Sequence, residues 1–128
     1  MSGSARTRIT LGAVAAGGAL GASARYGAGQ LWPSVWGTFT VNVVGCALMG
    51  VLMVLVAERD GAPFWVRPLL GTGVLGGFTT FSTYALDLSE LLERQEAVRA
   101  LAYAAGTLCA ALCAVWCAAA VTRRAVAR

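Results

Sequence analysis

The sequence predicts an all-α integral membrane protein of four transmembrane helices, and three observations carry that reading. The 128 residues are 58% hydrophobic and only 12% charged, with a mean hydropathy of +0.70, where an ordinary soluble domain is roughly 25% charged. Residues 26–57, 68–86 and 100–122 contain no charged side chain, and each run approaches or exceeds the ~20 apolar residues that cross a hydrocarbon core as a helix. A soluble chain this short could not hide so much apolar surface, because small domains leave a large share of their surface in water.

The first span is placed at about residues 9–31, after Arg6 and Arg8. A basic start and the Ala22-Ser23-Ala24 triplet resemble a secretory leader and its cleavage site. The apolar run nevertheless continues past Arg25 to Leu31, diluted by Gly12, Gly17, Gly18 and Gly21, which favours a helix that stays in the membrane. Trp32, Pro33 and Trp36 mark the interface, since Trp favours the headgroup level and Pro ends a helix. A short turn leads to the second span, about 38–57, and makes the two antiparallel neighbours. Glu58, Arg59, Asp60 and Gly61 end it.

The third span, about 66–92, is a poor helix in its middle, from Gly71 to Tyr84. Its glycines and β-branched threonines disfavour regular helix by roughly several tenths of a kcal/mol per residue. A break facing lipid would strand backbone polar groups, so a break here is buried against protein or lines a cavity. Asp87, Glu90, Glu93, Arg94, Glu96 and Arg99 form a polar connection, and the fourth span, about 98–121, ends before Arg123, Arg124 and Arg128. Residues 1–128 thus make one membrane domain, with no room for a soluble catalytic one. Gly17 and Gly21, Gly73 and Gly77, and the stripe Ala102, Gly106, Ala110, Ala114 and Ala118 are small-residue packing faces, whose neighbour lies in the same chain or another.

Several function classes are excluded. The ten arginines gather at span ends, where basic residues report topology, and nucleic acid is not an expected partner. Cys46, Cys109, Cys113 and Cys117 lie in apolar runs without histidine or a Cys-x-x-Cys pair, so they read as small packing residues and not metal ligands. The chain is not expected to be an enzyme, as no base stands beside any Ser, Thr or Cys. A proton-coupled small multidrug exporter would need a membrane-embedded carboxylate, yet no acidic residue precedes Glu58. A non-transporting assembly subunit would use the small-residue faces but would not need a broken third helix.

The remaining polar groups within spans are candidate functional residues, because each costs free energy without a partner or pathway. Arg25 lies close enough to the end of its span to snorkel as an anchor. The Asn42 amide suits either an anion or an interhelical hydrogen bond. Tyr103 and Thr107 place two hydroxyls on one helix face. From Phe78 to Tyr84, four Ser or Thr residues and three aromatics occupy seven positions. Unwound backbone there exposes carbonyls for a cation, while hydroxyls and ring edges can meet an anion.

Three segments together carry a family resemblance. Gly18-Ala-Leu-Gly-Ala-Ser-Ala-Arg-Tyr26, Gly37-Thr-Phe-Thr-Val-Asn-Val-Val-Gly45 and Gly76-Gly-Phe-Thr-Thr-Phe-Ser-Thr-Tyr84 resemble the motifs of the Fluc/CrcB fluoride channels, in the same order and over nearly the whole chain. The resemblance implies an antiparallel dimer in the cell membrane, with two fluoride pores along the subunit interface. It places Asn42 and Phe81 on the anion path, Ser82 and Thr83 as its continuation, and Tyr103 and Thr107 as hydroxyl partners. Tyr84 stands where the family commonly has a second phenylalanine; it keeps a ring edge and adds a hydroxyl. The backbone carbonyls of Gly76 and Thr79 would hold a structural sodium ion that is not transported. The implied function is passive fluoride export, which lowers fluoride toxicity. Neutral donors suit such a path, since a fixed buried cation would risk trapping the anion.

Orientation pulls against a dual-topology homodimer. One side would carry Arg6, Arg8, Arg59, Arg67, Arg123, Arg124 and Arg128, and the other Arg94, Arg99 and a snorkelling Arg25. Seven against three predicts both termini in the cytoplasm, and so an oppositely inserted homologous partner in place of an identical one.

Overall fold

The computed structural model describes residues 2–58 and 61–127; Arg59 and Arg128, used in the orientation argument, and Asp60, named at the end of the second span, lie outside the described residues. The described residues are all-helical, with turns between helices and no strand. Helix α1 is Gly3–Leu31, and α2 is Val35–Leu52, continued by a π-helical turn, Met53–Ala57. Helix α3 combines a π-helical stretch, Pro68–Leu75, with one α-turn, Gly76–Phe78; α4 is Ser82–Glu93 and α5 is Ala97–Val126. Two stretches, Val35–Val56 and Ala97–Val126, are long and apolar enough to cross a membrane.

Helix ends overrun the apolar runs. The 29 residues of α1 begin at Gly3 and span about 43 Å. Hydropathy locates the part of a helix that lipid can cover, whereas backbone hydrogen bonding continues through Arg6 and Arg8, which are good helix formers. The same reason carries α5 on through Arg123 and Arg124. Between α1 and α2 the chain turns within Trp32–Ser34, and the Ser34 hydroxyl accepts the Gly37 N–H at 3.3 Å to cap α2.

The helices pair chiefly as α1 with α3 and α2 with α5. In the first pair both GxxxG motifs face each other. A Cβ on Gly17 would overlap the Leu69 carbonyl oxygen and lie 2.9 Å from Val74 N, while one on Gly77 would lie 2.6 Å from the Gly18 oxygen. The two backbones therefore touch, and the small-residue neighbour belongs to the same chain. In the second pair Gly50 lies against the Val115 carbonyl and the Ala118 methyl. Helices α1 and α2 share few contacts despite their short connection. A tight turn brings two helix ends together, but the small-residue faces decide which helices stay close.

The interior is thin. Leu91, Ala100 and Tyr103 form a small buried cluster, with Val35, Phe39, Tyr84 and Leu88 packed around it. Leu20, Leu31, Leu101, Leu108, Leu112 and Trp116 all face outward, as do Cys109, Cys113 and Cys117. An apolar surface around a small-residue interior is the pattern of a protein solvated by lipid. At one end, the Arg6 guanidinium sits 4.8 Å over the Phe64 ring, and Arg123 grips both carboxylate oxygens of Glu58. These two contacts gather the start of α1, the α2–α3 connection and the end of α5 on one side. The Arg123 guanidinium holds the Glu58 carboxyl below its ordinary range.

Candidate polar site at the helix break

Between α3 and α4 the helical path is interrupted. Thr79 has extended backbone, at φ −75° and ψ 155°, and helix resumes at Ser82. The interruption is closed by side chains in place of helical hydrogen bonds. Asn42 of α2, only 8% exposed, accepts the Thr80 N–H at 2.7 Å through Oδ1 and donates Nδ2 to the Thr80 carbonyl at 2.9 Å. The Thr80 hydroxyl accepts the Thr83 N–H at 3.1 Å, capping the first turn of α4. Two backbone donors are thereby diverted. Thr80 N–H would otherwise close a helical turn on the Gly76 carbonyl, and Thr83 N–H on the Thr79 carbonyl.

The hydroxyls near the break form one network. Thr80 donates its single proton to Thr83 Oγ1 at 3.1 Å, so at 3.2 Å from Ser82 Oγ it can only accept. With that proton given to Thr83, the bond to Ser82 is made with the Ser82 proton, and the Thr83 hydroxyl proton has no acceptor among the described residues. Thr80, Ser82 and Thr83 line one side of an open cavity of about 750 Å³, which also takes in Arg25, Asp87 and Arg94. Arg25 accordingly faces a polar vestibule in this fold.

Three rings run alongside. The Phe81 and Tyr84 centroids are 5.5 Å apart, and Tyr84 and Tyr103 are again 5.5 Å apart. Phe81 is 79% exposed, whereas Tyr103 is buried. The Tyr84 hydroxyl donates to the Ala104 carbonyl of α5 at 3.0 Å. The extra oxygen that distinguishes it from phenylalanine therefore ties α4 to α5. Tyr103 donates its hydroxyl to Asp87 at 2.9 Å. Thr107, one turn further along α5, is also buried, with no partner for its hydroxyl among the described residues. Tyr103 and Thr107 share a second, mainly apolar cavity of about 300 Å³ with Phe39 and Gly106.

The fold brings Asn42, Ser82 and Thr83 together through Thr80, and strings Phe81, Tyr84 and Tyr103 beside them. Thr107 lies apart from that network. Of the two uses open to the Asn42 amide, the interhelical hydrogen bond takes the oxygen and one N–H; a second N–H remains. Sequence reasoning did not single out Thr80 or Asp87. In the Thr79-Thr80 pair, two adjacent residues of an unwound segment point in different directions, so one of them faces inward. Asp87 follows Tyr84 by three positions on α4 and so shares its face, a spacing obscured by the charged residues after it.

Fold and site together define a helical membrane protein with a neutral, polar break held between its spans. A model of the family described as CrcB-like protein, Camphor Resistance (CrcB), matches residues 12–119. The chain belongs to this family. Among its relatives, Fluoride-specific ion channel FluC 1 of Streptomyces coelicolor is 53% identical over 116 residues, 87% of this chain and 75% of the relative. Fluoride-specific ion channel FluC of Paracoccus denitrificans is 50% identical over 107 residues, covering 80% and 85%. The protein of that name from Rhizobium leguminosarum is 46% identical over 116 residues, covering 86% and 93%.

Proposed function

We propose that this chain is a fluoride-specific ion channel of the cell membrane, exporting fluoride passively and so lowering its toxicity. The observation that carries the reading is the neutral donor set at the break: the free Thr83 proton, the remaining Asn42 N–H and the exposed Phe81 ring edge. Such donors replace the water of a small, hard anion without trapping it. The names of relatives at about half identity point the same way. Asn42, Phe81, Ser82, Thr83, Tyr84, Tyr103 and Thr107 are the proposed path, with Arg25 at its vestibule.

Phe81, Gly76 and Gly106 are all exposed on the single subunit, and Gly106 has open space around it. This supports a path completed by a second, antiparallel subunit. The carbonyls of Gly76 and Thr79, deprived of their helical donors, fit a structural sodium ion, which when bound would supply positive charge beside the break. The arginine bias favours fixed insertion with cytoplasmic termini, and hence pairing with an oppositely inserted homologue.

Purified protein in liposomes, alone and together with an oppositely inserted homologue, tests the function directly. Rapid electrogenic fluoride efflux with little chloride efflux is the expected result, and equal flux of both anions would refute it. If the chain alone carries robust fluoride flux, an obligatory partner is rejected; C-terminal reporters giving equal signal on both faces would reject fixed orientation.

A further inference from the structure

Thr80 is the most highly connected residue of the break. It is 8% exposed, and each of its polar atoms is committed. Its N–H and carbonyl are taken by Asn42, and its hydroxyl by the Thr83 amide, the Thr83 hydroxyl and Ser82. Those bonds have two consequences outside Thr80 itself. On one side they keep Thr80 N–H and Thr83 N–H away from the carbonyls of Gly76 and Thr79. On the other, they fill the acceptor site of the Thr83 hydroxyl and so leave its proton pointing away from Thr80.

We propose that Thr80 is a positioning residue: through its hydroxyl it keeps the Thr79 carbonyl available to a cation and presents the Thr83 proton to an anion, without itself touching either. The proposal rests on the fluoride-channel reading for its anion half. Its cation half concerns backbone geometry and is measured separately.

A hydroxyl-free isostere isolates the effect. In Thr80→Val the Thr83 N–H loses its acceptor and returns to the Thr79 carbonyl, so that the first turn of α4 closes two residues earlier. Thr80→Ser keeps every polar atom. Two readouts are taken on full-length protein: fluoride efflux from liposomes, and the rise in Tm produced by sodium over a large organic cation in detergent. Thr80→Val is expected to lose about tenfold or more in flux, the scale of one buried hydrogen bond left unmade, and to lose the sodium-dependent rise in Tm. Thr80→Ser is expected to restore both. Should Thr80→Val fail to assemble, Thr83→Val is the second variant, because it removes the presented proton but keeps the amide bond to Thr80. It is expected to lower flux and leave the sodium-dependent rise intact.

Wild-type flux and sodium response in Thr80→Val would overturn the proposal, as would a Thr80→Ser variant as defective as Thr80→Val. If Thr83→Val abolishes the sodium response, the division between the two halves is wrong and the proposal falls. Absence of fluoride flux from the wild type, both alone and together with an oppositely inserted homologue, would instead refute the channel reading, while the sodium-dependent Tm would still judge the cation half.

Discussion

Asn42 and Thr80, 38 residues apart in sequence, are joined by two antiparallel hydrogen bonds of 2.7 and 2.9 Å, so that a side-chain amide takes the place of a missing helical turn. The pairing satisfies the Thr80 N–H and carbonyl at the break, which lipid could not do. It also gives Asn42, a residue of the proposed anion path, a structural role.

Asn42→Asp keeps the acceptor for Thr80 N–H but removes the donor to its carbonyl and adds negative charge beside an anion path. Leaving that buried carbonyl unmet costs about 1–3 kcal/mol. Fluoride flux in liposomes is expected to fall by roughly a hundredfold or more, about 2.7 kcal/mol in a rate. Flux within threefold of wild type would remove Asn42 from the path.

Phe81→Ile separates path from packing. With 79% of Phe81 exposed on the subunit, its removal should change stability by no more than about 0.5 kcal/mol, as for other surface substitutions. Flux should nearly vanish, because an aliphatic side chain has no electropositive edge. A variant with normal Tm and normal flux would show that the ring is not a contact of the anion.

Two glycines of α1 make a matched pair for stability. A Cβ on Gly21 would overlap the Val74 carbonyl and lie 2.8 Å from Phe78 N, whereas one on Gly12 meets nothing within 4 Å. Gly21→Ala should therefore push α1 off α3, at a cost of about 1–3 kcal/mol. Gly12→Ala should be neutral or stabilising by up to about 1 kcal/mol, since alanine loses less backbone entropy in a helix. Thermal unfolding in detergent ranks the two, and equal Tm values would contradict the backbone contact between α1 and α3.

Protonation should loosen the Glu58–Arg123 clasp. The folded-state pKa of Glu58 is depressed below its ordinary value near 4.5, so the pair contributes stability above that value and loses it as pH falls through the lower, folded value. Both groups are solvent-exposed, and the effect is correspondingly small. Comparing Tm against pH for wild type and Glu58→Gln, the two curves should converge in acid and separate above about pH 5, the wild type higher. Parallel curves throughout would show that the clasp adds nothing.

Much of the fold was written in local pattern. Charge-free runs and interfacial Trp and Pro located the helical segments, because an apolar run leaves its mark in local hydropathy; two of the helical stretches, Val35–Val56 and Ala97–Val126, are long and apolar enough to cross a membrane. Family motifs likewise marked the segments around Asn42 and Phe81. What tertiary structure decided was pairing and use. Short connections suggested α1 beside α2, but backbone contact through Gly17, Gly21, Gly73 and Gly77 set α1 on α3, since close approach depends on complementary faces and not on chain distance. The Asn42 amide had two open uses until Thr80 was placed within 2.7 Å of it. Thr80 was invisible among its neighbours for the same reason. Its role consists of hydrogen bonds to α2 and to the next turn of the chain, and their direction exists only once the break has a shape.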